Sequence, residues 1–218
     1  MAKLLSALPV GSVVKSTNTK YNGKVIRWIV GTQDTANGRT GLVTEKMITL
    51  KCFDAKEPSN PNSNRQSYGN NRYSQSNIDQ WLNSADAAWY SARHSYDAPP
   101  NNSNVWSSYN EYDTEAGFLS NFEADFRKAI LDAVIRVAKN TVTDGGGYED
   151  ITRKVFLLSN TEVGLSNENS VAEGTLWPYF SSAARRQCYP TAEAVSNSEY
   201  TSSSLNASSY WYWWLRTP

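Results

Sequence analysis

Tyr210-Trp211-Tyr212-Trp213-Trp214-Leu215-Arg216-Thr217-Pro218 closes the sequence and packs three of its eight tryptophans into four positions. β-forming aromatics followed by an arginine and a proline predict a strand, with Tyr210, Tyr212 and Trp214 on one face and Trp211, Trp213 and Leu215 on the other. Both faces are large and apolar, so the strand is expected between two layers. The rings are then either core or a ligand platform, and the segment alone does not choose.

Working backwards from it, Tyr189 to Ser209 is rich in Ser, Thr, Asn and Ala and leads directly into the aromatic run. Gly174 to Phe180 reads as a short helix or turn with Leu176, Trp177 and Phe180 inward. Ser159-Asn160-Thr161-Glu162 has the Ser-x-x-Glu spacing of a capping box. Val134 to Val142 and Lys154 to Ser159 are strand candidates around Asp144-Gly145-Gly146-Gly147. No helix with a Gly-Lys-Ser/Thr continuation follows the glycines, so they suit a hairpin loop better than a phosphate loop. Leu119, Phe122, Phe126 and Ile130 form one apolar stripe and predict a helix over 115–130.

The stretch between Trp89 and Tyr112 scatters six aromatics among prolines and asparagines. A loop of that length either serves a function or is pinned by its own rings. Ser76-Asn77-Ile78-Asp79-Gln80-Trp81-Leu82-Asn83 supplies a cap and helical apolar spacing. Residues 54–75 form a polar loop, in which Glu57-Pro58-Ser59-Asn60 has one serine too many for a Glu-Pro-Asn calcium signature. Tyr21-Asn22-Gly23-Lys24 before Val25 to Gly31 marks the clearest hairpin, with a third strand candidate over 41–53. The expected class is α+β: a mixed, single domain over 1–218 with a β part at 1–53, a loop- and helix-rich middle at 54–133, and a second β part at 134–218.

Composition narrows function. Lys plus Arg equals Asp plus Glu at 21 each, so no net field draws the chain to nucleic acid. No apolar run reaches a membrane span, and the Met1-Ala2-Lys3-Leu4-Leu5-Ser6-Ala7-Leu8-Pro9 start is too short for a secretory signal. Cys52, Cys188 and the single His94 lack metal-ligand spacing, and no residues assemble into a catalytic set or imply a cofactor. Tyr, Trp, Ser and Asn in abundance are the vocabulary of recognition surfaces, where rigid rings give contact area and short polar chains adapt.

Leu8-Pro9-Val10-Gly11, Tyr21-Asn22-Gly23-Lys24, Gln80-Trp81-Leu82-Asn83, Lys154-Val155-Phe156-Leu157-Leu158-Ser159, Glu162-Val163 and Trp213-Trp214-Leu215-Arg216-Thr217-Pro218 occur in an order that resembles domain-of-unknown-function family 6273, found in bacteria and prophages. The resemblance implies a C-type-lectin-like fold of short antiparallel strands, one or two principal helices and long loops. It also implies a phage or prophage particle protein on the virion surface, acting as a non-enzymatic recognition module for a bacterial surface glycan or protein. Members continue past the Trp-Leu-Arg-Thr/Ser-Pro motif to a further strand, whereas this sequence stops at Pro218. A shortened chain is therefore expected, paired with other virion subunits or another copy of itself near Trp211 to Leu215.

The candidate ligand-binding residues are Trp106 and Tyr109 on the loop, and Trp213, Trp214 and Arg216 on the motif, since rings stack on sugar faces and polar groups satisfy hydroxyls. Arg216 fits equally as a buried ion-pair partner. The alternatives are an architectural virion protein, whose aromatics only join subunits, and a relative of formylglycine-generating oxidases, which requires Cys52 and Cys188 to converge.

Overall fold

A computed structural model describes residues 4–167 and 170–218; the first three residues of the N-terminal segment lie outside it. The architecture is α+β, with short helices and two small antiparallel sheets joined by long irregular segments. The first sheet runs β1 (Val13–Tyr21), β2 (Lys24–Asp34) and β3 (Arg39–Thr44) in sequence order. Asn22 and Gly23 both take positive φ, at 47° and 74°, as a two-residue hairpin turn requires, and Tyr21 pairs with Lys24 across it.

The β2–β3 register slips between Val30 and Thr32, around Gly31. A Cβ on Gly31 would stand 2.5 Å from the Trp177 ring, and one on Gly41 would stand 2.8 Å from it. The two glycines thus form a notch that seats one indole on the sheet.

After β3, α1 (Ser63–Tyr68) interrupts the polar loop, capped by the Asn62 side chain. The helix α2 (Asn77–Leu82) starts at Ser76, whose hydroxyl accepts from Asp79 N–H, and all six of its residues are buried. Its buried polar groups are partnered: Asp79 takes the Arg153 fork at 2.7 and 2.6 Å and Arg93 at 2.7 Å. Trp81 packs between Tyr21, Tyr112 and Phe118 in the main core.

The continuous helix expected over 115–130 is absent. A 3₁₀ turn (Phe118–Asn121) and α3 (Ala124–Ala129) flank an extended Phe122, with φ −109° and ψ 141°. Phe122 bridges to Thr19 of β1, and Glu123 N–H donates to Asn18 O at 3.0 Å. Pairing with the sheet edge replaces the intrahelical bonds, while Phe118, Leu119 and Phe122 still bury.

The second sheet pairs β4 (Ala133–Ala138) with β5 (Tyr148–Arg153). The loop between them contains Gly145, Gly146 and Gly147, all at positive φ between 71° and 74°. Residues 154–159, expected as a strand, form no ladder. Their backbone is bonded by side chains instead: Asn83 bonds Lys154 N–H and both backbone groups of Val155, and the Tyr73 hydroxyl accepts from Leu157 N–H.

The capping box is present as a turn, with Ser159 N–H donating to Glu162 Oε2 and Glu162 N–H to Ser159 Oγ, both at 3.1 Å. A 3₁₀ turn follows Trp177 (Pro178–Ser181), with Phe180 buried but Leu176 exposed rather than inward. The last helix is α4 (Ala192–Ser196).

The terminal segment is extended but not a strand. Trp211 N–H to Cys188 O at 3.0 Å and Arg216 N–H to Leu158 O at 2.9 Å are its backbone bonds among the described residues. The alternation is real, yet the segment is not sandwiched: Tyr210, Tyr212 and Trp214 face outward while Trp213 and Leu215 pack on the cluster of Leu158, Val163 and Phe180. No helix among the described residues is long and apolar enough to cross a membrane.

Candidate functional site

Arg216 is the most constrained side chain of the terminal motif. It is fully buried, and its guanidinium donates to Arg136 O (3.0 Å), Leu157 O (2.8 Å), Glu162 Oε2 and Oε1 (2.7 and 3.0 Å) and Glu173 O (3.1 Å). Five bonds use the five N–H donors the group possesses. Thr217 extends the clamp, donating to the Glu173 carboxylate and accepting from Asn160 N–H. Arg216 therefore leaves the ligand-binding set: no donor remains to meet a ligand, and its structural alternative stands.

Trp213 is likewise committed inward. Its indole N–H donates to Arg186 O at 2.9 Å, and its ring stacks on Phe180 at 6.1 Å and 28°. Trp214 is half exposed, with one edge tethered by an N–H bond to Lys51 O at 2.9 Å and the ring against Phe53.

The loop residues differ from one another in role. Trp89 and Tyr112 stack at 5.4 Å and 9° and hold the loop's two ends to the core. Between these anchors Trp106 projects, 56% exposed, beside Tyr109 at 6.1 Å. Ser107, Ser108 and Asn110 all take positive φ of 52–59°, a costly conformation for non-glycine residues that persists only when its surroundings enforce it. Here the enforcement comes from residues 198–199. Asn110 N–H donates to Glu199 Oε2 at 2.7 Å, Glu199 N–H to Asn110 Oδ1 at 2.9 Å, and the Asn110 amide to Ser198 Oγ.

This tie brings Tyr200 against both loop rings, at 6.4 Å from Trp106 and 6.0 Å from Tyr109. Tyr200 in turn meets Trp211 at 5.8 Å, and Trp211 meets Tyr212 at 5.7 Å. A continuous aromatic run thus joins the loop to the terminal segment through Tyr200, Trp211 and Tyr212. From sequence, Trp211 and Tyr212 are expected only within a subunit contact over Trp211 to Leu215, and Tyr200, alone in a Ser-rich stretch, gives no signal.

Two clefts border the run. The larger, about 1480 Å³, is lined by Trp106 and Tyr109, by Trp213 and Trp214 and by the β3 strand. The smaller, about 720 Å³, is also lined by Trp211 and Tyr212, together with Arg186 and the turn at 204–209.

Elsewhere, the Glu57-Pro58-Ser59-Asn60 groups are turned on one another. Asn60 Nδ2 donates to Glu57 Oε2, and Glu57 Oε1 lies 3.4 Å from His94 Nε2. No cluster of three or more metal-ligating side chains occurs among the described residues. Nearby Asp54 accepts from Asn70 and Asn77 N–H at 2.7 and 2.8 Å, yet burial, followed by the charges of Asp97 and Glu57, pushes its carboxyl up to about 8. Cys52 and Cys188 are both free, and burial pushes the Cys52 thiol up to about 12 and that of Cys188 upward also.

The family model described as a domain of unknown function, DUF6273, matches residues 37–218, and the chain belongs to that family. The match begins after the first hairpin, so the Leu8-to-Gly11 and Tyr21-to-Lys24 motifs fall outside it. No curated protein and no solved structure matches the chain.

Proposed function

We propose that this DUF6273 chain is a non-enzymatic recognition module that binds a bacterial surface glycan or protein through the aromatic run from Trp106 to Tyr212, displayed on a phage or prophage particle. The observation that carries the reading is the Trp106 turn: a largely exposed indole beside strained backbone at Ser107, Ser108 and Asn110, fixed by the Asn110–Glu199 pair. Strain of this kind collects at ligand-binding sites, and rigid exposed rings give binding area at little entropic cost. A C-type-lectin-like kinship suits long pinned loops around small sheets. Thiols raised by burial run opposite to the activation that oxidase chemistry needs, which weighs against the formylglycine-generating alternative.

The test is Trp106→Ala in a glycan-array and whole-cell binding assay. Weakened binding with an unchanged melting temperature is the expected result; an equal loss of stability would make Trp106 a packing residue instead. Detection of the chain in purified particles by mass spectrometry tests the setting.

A second reading is favoured by the outward Tyr210, Tyr212 and Trp214 and the adjoining large cleft: another copy or a virion subunit covers this face. Light scattering that shows a monomer at all concentrations would argue against it.

A further inference from the structure

We infer that the smaller cleft is a subsite for a saccharide bearing an anionic group, carboxylate or phosphate, with the acid group on Arg186 and a sugar face on Tyr212. This deepens the proposed recognition role and rests on it.

The volume of about 720 Å³ falls within the range of small-ligand sites. Its walls are held by bonds among the lining segments. Trp213 donates to Arg186 O, Trp211 N–H bonds Cys188 O, and the Asn206 side chain closes the facing turn through Ser204 O and Ser208 N–H. Tyr212 is 88% exposed at the rim and offers an open ring face.

Arg186 supplies the charge. Its Nη1 donates to Val163 O at 3.1 Å, with Gly164 O at 3.5 Å, which sets the plane of the half-buried guanidinium. Its Nε and Nη2 have no acceptor among the described residues, and no carboxylate there lies within ion-pair distance. An oriented guanidinium with a free N–H edge matches a carboxylate or phosphate in two parallel bonds. Ser204, Ser209 and Gln187 line the same cleft, and their side-chain polar groups have no hydrogen-bond partner among the described residues, so they suit sugar hydroxyls. A neutral saccharide would leave the Arg186 edge unmet, and a free anion would leave Tyr212 and the hydroxyl-lined wall unused.

Isothermal titration of the full chain with four probes decides the matter: a glucuronate-bearing disaccharide, its neutral glucose counterpart, glucose 1-phosphate and inorganic phosphate. The expectation is at least tenfold tighter binding of one acidic sugar than of the neutral one, and the preferred arm tells carboxylate from phosphate. Arg186→Gln should abolish the preference, and Tyr212→Ala, at an exposed position, should weaken every sugar without lowering the melting temperature. Equal binding of acidic and neutral disaccharides, a preference that survives Arg186→Gln, or inorganic phosphate binding as tightly as the sugar phosphate would overturn the inference. If Trp106→Ala abolishes cell binding while no acidic preference exists, the recognition role stands and this subsite falls. The reverse pattern, with an acidic preference and no cell binding, supports the subsite and sinks the cell-recognition role.

Discussion

Replacing Arg216 by methionine should destabilise the protein severely while leaving the exposed aromatic run chemically intact. The change removes five hydrogen bonds and strands the Glu162 carboxylate, whose side chain is only 8% exposed, without its cation. Removing one partner of a buried ion pair costs about 3–5 kcal/mol, because the remaining charge stays desolvated. In a chain of this length each kcal/mol shifts the midpoint by roughly 2–4 °C, so the melting temperature should fall by about 6–20 °C. Urea unfolding with an unchanged slope would assign the loss to stability rather than to an altered denatured state.

Arg216→Lys should fall between, since three ammonium donors cannot serve five acceptors arranged for a planar fork. A double-mutant cycle with Glu162→Gln should return a coupling well above 1 kcal/mol, as order of magnitude for groups in one network. A drop below about 2 °C for Arg216→Met, or lost cell binding at full stability, would refute the clamp and return Arg216 to the ligand-binding set.

Gly31→Ala should cost about 1–3 kcal/mol in chemical denaturation, because its methyl would collide with Trp177, whereas Gly38→Ala meets no neighbour and should cost only its positive-φ strain. Trp213→Ala should lower the melting temperature by removing a stacked, hydrogen-bonded core ring, while Tyr212→Ala should not. The raised Asp54 carboxyl makes stability pH-dependent. The folded state holds its proton up to about 8 while the unfolded state releases it near 4, so this group's contribution is full at low pH and is lost as pH rises through about 8. Unfolding free energy measured between pH 5 and pH 8.5 should decline, and a rise across that window would contradict the assignment.

The elements legible in the sequence were those fixed by local chemistry. Asn22-Gly23 demands positive φ and so declares its hairpin, and Ser76 caps α2 with its own hydroxyl. Ser159 and Glu162 bond each other three residues apart as their spacing implies. Failures came where distant groups outbid local preference. The apolar stripe of 115–130 was correct about burial and wrong about helix, because Phe122 found a partner on β1 that no local pattern reveals. Residues 154–159 and 210–218 have strand composition, yet the first meet side chains such as Asn83, Tyr73 and Arg216 in place of a ladder, and the second make isolated backbone bonds to Cys188 and Leu158. The candidate site divided in the same way. Exposure of Trp106 among prolines and asparagines was readable, whereas the link through Tyr200 depends on a contact between Asn110 and Glu199 that spans 89 positions.

The Arg216 clamp also bears on how the chain reaches its folded state. One guanidinium closes loops of 80, 59, 54 and 43 residues at once, to Arg136, Leu157, Glu162 and Glu173. Closure entropy grows only logarithmically, so the longest of these loops costs merely about 0.6 kcal/mol more than the shortest. Once any one contact forms, the others follow at little further entropic cost, and the four segments lock together as a single cooperative unit. Such nonlocal closure is slow to find but hard to undo piecemeal. Amide protons of residues 136–138, 157–163 and 216 should therefore exchange together, on one timescale, although the sequence scatters them across eighty positions.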